Sequence, residues 1–109
     1  MKIDFEIDGE KYSISEKGNY PNGRLALQVY CEEGPFMTLT HNFPDAEEPV
    51  EGYFHAKYWS ENYDFFMKMK RKGILDFHPK ERESFYLSDK LMHRSVPILV
   101  KIKNEYINE

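Results

Sequence analysis

The stretch KIDFEIDGEKYSI, residues 2–14, decides the class of fold. Ile3, Phe5 and Ile7 alternate with Lys2, Asp4, Glu6 and Asp8, which is the period of a strand with one buried and one solvated face. Asp8-Gly9 supplies the two residues that a tight hairpin turn needs, since both of its central positions require positive φ. Tyr12 and Ile14 then resume the apolar face on a returning strand. An antiparallel hairpin so close to the start predicts a sheet built from neighbours in sequence.

Working outward, EKGNYPNG at 16–23 reads as a loop, and RLALQVYC at 24–31 places Leu25, Leu27, Val29 and Cys31 on one strand face. After EEGP, the run FMTLTH at 36–41 predicts a second hairpin. An acidic, proline-bearing loop, FPDAEEPVEG, separates it from YFHAKY at 53–58, read as a fifth strand. All five are joined by connections too short for parallel crossovers, so the sheet is expected to be mostly antiparallel.

One helix is predicted, over about 60–72 in YWSENYDFFMKMKRKG. Ser60 is its expected N-cap, with Glu61 and Asp64 in the first turn, and Gly73 its C′ residue with Ile74 as the hydrophobic contact. Tyr63, Phe66, Met67 and Ile74 follow helical spacing, and Phe65 and Met69 widen that stripe toward the sheet. Lys68, Lys70, Arg71 and Lys72 complement the negative end of the helix dipole. Further on, DFHPKERES reads as a polar loop, and FYLSDKLMHR as a strand or as a short helix capped by Ser88. SVPILVKIK is a strand whose Pro97 puts it at an edge or makes its start irregular, and NEYINE is expected to be a frayed end. The expected fold is α+β: a single domain over 1–109, a mostly antiparallel sheet of five to six strands, and one helix packed on a face.

The 40% apolar and 16% aromatic content suits a folded chain with a real core. No apolar run approaches the roughly 20 residues of a membrane span, and the first residues form a strand pattern rather than a signal peptide. With one cysteine and no internal disulfide, a cytoplasmic location is the expectation. The net charge of −4 is uneven: residues 1–55 hold 11 Asp/Glu against 4 Lys/Arg, and residues 56–109 hold 8 against 11. An acidic half favours a basic partner.

No catalytic constellation is marked. Cys31 needs a base nearby, and a hairpin pairing Cys31 with Phe36 puts His41 opposite Ala26, roughly 17 Å along the strand at ~3.4 Å per residue. His55, on another strand, stays open as a base for it, but a buried structural thiol is the better reading. Histidines 41, 55, 78 and 93 lack paired ligand spacing, so no metal is expected, and the six glycines fall singly at turns rather than in a phosphate loop. No cofactor follows from any motif. The carboxylates worth singling out as a partner-binding surface are Asp45, Glu47, Glu48 and Glu51 in the acidic loop, with Asp4 and Glu6 on the outer face of the first strand. The basic helix end with Tyr58, Trp59 and Tyr63 offers an alternative, a nucleic-acid contact, against which stands a pI of about 5.6.

The order NGRLALQVYCEEGPFMTLTHNFPD, then EGYFHAKYWSENYDFFMKMKRKGIL, resembles a family of small proteins of uncharacterised function carried by conjugative elements and phages of bacteria. The resemblance covers residues 22–75 and rests on Asn22-Gly23-Arg24, Thr38-Leu39-Thr40 and Ser60-Glu61-Asn62 recurring in that order. It implies no catalytic residues. Its context implies an inhibitor of the anti-CRISPR type, whose partner is a nuclease or that nuclease's nucleic-acid complex.

Overall fold

The computed structural model describes residues 2–81, 96–103 and 105. It is α+β: among the described residues, seven strands form two antiparallel sheets accompanied by one α-helix. The opening hairpin is as the alternation predicts. Strand β1 (Lys2–Ile7) pairs with β2 (Glu10–Asn19) so that Ile7 faces Glu10. Asp8 (φ 52°) and Gly9 (φ 81°) make the two-residue turn, both left-handed as its twist demands. Strands β3 (Leu25–Cys31) and β4 (Gly34–Thr38) complete a meander in the order β1-β2-β3-β4.

The chain does not build a single sheet of five to six strands. Strands β5 (Phe54–His55), β6 (Leu75–Phe77) and β7 (Leu99–Ile102) form a second sheet in the order β5-β7-β6. The reason lies at Thr40. Its side-chain Oγ1 accepts the Leu27 N–H at 3.1 Å, so a side chain takes the donor that would have extended the β3–β4 ladder. From there, among the described residues, one bridge, Thr40 opposite Ala56, and bonds such as Lys57 N–H to the Leu39 carbonyl tie the sheets together. Strand β5 is accordingly two residues long where six were expected. Strand β6 lies in a segment read as loop, being too short to show a period. Strand β7 is central, not an edge, and Pro97 lies two residues before its first residue, Leu99, so the missing N–H costs the ladder nothing.

The helix also starts later than expected. Ser60 is not its N-cap: it has φ 57° and opens a 3-10 turn, Ser60–Asn62, and α1 runs Tyr63–Arg71. At the other end the reading holds. Ile74 N–H donates to the Met69 carbonyl and Gly73 N–H to that of Lys70, with Gly73 at φ 78°, a Schellman cap. Phe66 and Met69 are fully buried, whereas Met67 is only partly so. They join Ile3, Ile14, Leu27 and Val29 of the first sheet and Leu75, Val100 and Ile102 of the second in one apolar cluster. Tyr58 is wholly buried, and its hydroxyl donates to the Val96 carbonyl (3.2 Å) while accepting the Val96 N–H (3.3 Å). The readings of 85–94, including Ser88, and of the last residues fall outside the described residues.

Candidate functional site

The acidic loop is held from below by one side chain. Arg24, half-buried at the foot of β3, donates Nη1–H to the Phe43 carbonyl at 2.6 Å and Nη2–H to that of Ala46 at 2.7 Å. A planar guanidinium presents parallel donors, so one residue fixes two points of a loop that has no ladder of its own. Asn22 Nδ2 donates to Asn42 Oδ1 at 3.0 Å, and the Ala46 and Tyr53 N–H groups close short turns onto Phe43 and Val50. Asp45, Glu47, Glu48 and Glu51 are exposed on this frame, and none makes an ion pair among the described residues. Four unneutralised carboxylates thus stand on a fixed backbone.

Beneath the loop is a cavity of about 170 Å³ lined by residues that include Arg24, His41, Tyr53 and His55. His55 is 6% exposed and its Nδ1 has no hydrogen-bond partner among the described residues, a costly arrangement for a charged ring. Burial, then the charges of Arg24 and Lys80, hold its pKa below the usual value. His41 is likewise lowered, by burial and then Lys57. The Phe43 ring lies edge-on to both imidazoles, at 4.7 Å from His41 and 5.6 Å from His55, and Trp59 sits 5.1 Å from His41. This nest is aromatic packing under the loop. No group of three or more His, Cys, Asp or Glu side chains among the described residues is placed to hold a metal.

The proposed partner-binding carboxylates are not one patch. Asp4 and Glu6 lie on the solvated face of β1, opposite Ser13 and Lys11, while the loop leaves β4. Strand β1 is one edge of the four-stranded sheet, whereas the loop is anchored at the foot of β3 through Arg24. The basic helix end is partly spent within the fold: Lys68 Nζ is 3.1 Å from Asp8 Oδ2, and Lys70 Nζ lies 5.4 Å over the Phe77 ring. Arg71 and Lys72 remain exposed. Cys31 pairs with Gly34 rather than Phe36, because the turn has two residues and a bulge between Val29 and Tyr30 takes up Phe36. The thiol is partly buried and donates to the Gly34 carbonyl at 3.5 Å. His41 still lies beyond the far end of β4, its N–H on the His55 carbonyl, so no Cys31–His41 pair forms.

The anchoring role of Arg24 was not legible from the sequence, nor was the link between three short motifs. Asn62 Nδ2 donates to the Thr38 and Lys57 carbonyls at 2.8 and 2.9 Å, joining the SEN and TLT segments. Thr40 bonds Leu27 and Tyr20, and Asn22 and Arg24 reach Asn42, Phe43 and Ala46. All three motifs therefore converge on the stretch between Thr38 and Ala46. The only local signal was their polar character beside apolar strands. No family model, curated protein or solved structure matches this chain.

Proposed function

We propose that the protein is a non-catalytic inhibitor of a bacterial defence nuclease, a CRISPR effector such as Cas9, encoded by a mobile element and acting through protein contact. The observation that carries the reading is the pinned acidic loop: Asp45, Glu47, Glu48 and Glu51 without ionic partners among the described residues, on a backbone held by Arg24. A channel that binds nucleic acid is lined with cations, and fixed carboxylates compete for it without first paying to be ordered. The resemblance of residues 22–75 supplies the mobile-element context. An accessory nucleic-acid-binding role for the helix end is less favoured, since Lys68 and Lys70 already have partners.

The test is a DNA-cleavage assay with purified Cas9, guide RNA and target, adding wild-type protein or one of two variants. Glu47, Glu48 and Glu51 changed together to Lys abolishes inhibition and binding, while Lys70, Arg71 and Lys72 changed to Ala leaves both near wild type. Inhibition weakens as salt rises, because exposed charges are screened over about 8 Å at ~0.15 M. A wild type that leaves cleavage untouched and retards labelled DNA or RNA directly would hand the case to the nucleic-acid role.

A further inference from the structure

At the end of the four-stranded sheet away from the acidic loop, the β1–β2 and β3–β4 turns stand side by side, because a meander returns to the same end at every second turn. Between them opens a cleft of about 380 Å³. Its apolar wall comes from the bulge in β4. By leaving Phe36 unpaired between Pro35 and Met37, the bulge turns that ring toward Tyr12, 5.4 Å away, and Phe65 of α1 packs 4.8 Å from each. Phe36 stays 46% exposed, so its ring is open to a partner that enters the cleft. Around this wall stand Glu10, Glu32 and Glu33, all exposed, and one cation, Lys11. Glu10 Oε2 accepts the Tyr12 hydroxyl proton at 2.8 Å, which sets that carboxylate beside the ring. No ion pair neutralises the three glutamates among the described residues.

We infer that this cleft receives an arginine side chain of a protein partner. Aromatic faces carry negative charge density and attract a flat cation, and a guanidinium stacks on them while its edge offers paired donors to carboxylates. A lysine ammonium, a hydrated point charge, uses the rings less well. The cleft is independent of the nuclease reading. It lies the length of β3, seven residues or roughly 23 Å, from the loop that reading invokes.

A ¹⁵N-labelled sample titrated at low salt with acetyl-Gly-Arg-Gly-amide tests it by amide shifts. Saturable shifts at Gly9, Tyr12, Glu33 and Phe36 are expected. The citrulline peptide, equal in shape and uncharged, should bind about tenfold more weakly, the loss of one good charge-assisted contact. Phe36→Ala and the doubly neutral Glu32→Gln, Glu33→Gln variant should each weaken binding several-fold. The second is a surface change that leaves folding intact, as the rest of the spectrum would show. Equal binding of the citrulline peptide, shifts confined to 43–52, no saturable shift, or unchanged affinity in the glutamine variant would each overturn the assignment.

Discussion

The acidic loop and the basic helix end are both charged and exposed, yet the fold treats them differently. The loop's backbone is fixed by a side chain from elsewhere in the chain, Arg24, while its own four carboxylates have no ionic partner among the described residues. The helix end needs no such anchor, since its Schellman cap is local, and two of its four cations are occupied by Asp8 and Phe77. Charge that the fold does not use is charge offered outward. By that measure the loop, not the helix end, is the surface we propose for partner contact.

The largest expected effect tests whether both regions hang on one core. Phe66 is wholly buried beneath the helix, close to Tyr58 and Phe77, so Phe66→Ala should cost ~3–5 kcal/mol through lost burial and the cavity left behind. Glu61→Ala, in the exposed 3-10 turn before the helix, should cost far less. Urea unfolding measures both, and equal small losses would break the picture of a helix seated on the apolar cluster.

Next in size is the anchor itself. Arg24→Ala removes two charge-assisted bonds and leaves the Phe43 and Ala46 carbonyls without them, a loss of ~2–3 kcal/mol. More telling is where it acts: hydrogen exchange should quicken across 43–53 and hardly change in 63–72. Faster exchange spread evenly over the chain would mean that Arg24 supports the core rather than the loop.

Local chemistry was legible in this sequence and long-range chemistry was not. Asp8-Gly9 and Gly73 were readable because a turn or cap is decided within a few residues. Strand β1 was readable because one face is buried throughout. Ser60 shows the limit: a good capping residue by type, it takes φ 57° because Asn62, bonded to Thr38 across 24 residues, dictates the entry to the helix. The split into two sheets turns on Thr40 reaching Leu27 across 13 residues, and the loop anchor on contacts spanning 19 and 22. No window of sequence contains such pairs. The six carboxylates proposed for partner contact were legible as exposed, but the anchoring of four of them through Arg24 was not.

The nest under the loop carries a pH signature that the helix end lacks. His55 and His41 are held below the ordinary 6.5 by burial first. As pH falls through that value the unfolded chain takes up protons that the folded chain resists, so the unfolded state binds more and stability drops. Above it both forms are neutral and the contribution vanishes. Stability should therefore fall between pH 7.5 and 5.5, chiefly through buried His55, because His41 is exposed and solvent screens it. His55→Phe should flatten part of that slope and cost little at pH 7.5, because Nδ1 has no partner to lose. A slope unchanged by His55→Phe would place the titration elsewhere.

The smallest effect separates the two kinds of charge most sharply. Arg71 and Lys72 are exposed at the end of α1, where they complement the helix dipole and touch no carboxylate among the described residues. Changing both to Ala should cost ~0.5 kcal/mol at low ionic strength, and that cost should fade in ~1 M salt, where the screening length shrinks to about 3 Å. The Arg24→Ala loss should persist under the same salt, because its donors meet half-buried carbonyls at hydrogen-bond distance rather than a diffuse field. Paired unfolding curves at the two salt concentrations measure both variants. If the Arg24→Ala loss faded as the helix-end loss does, the anchor would be an electrostatic convenience and the loop no more fixed than the helix end, which would remove the physical ground for preferring it.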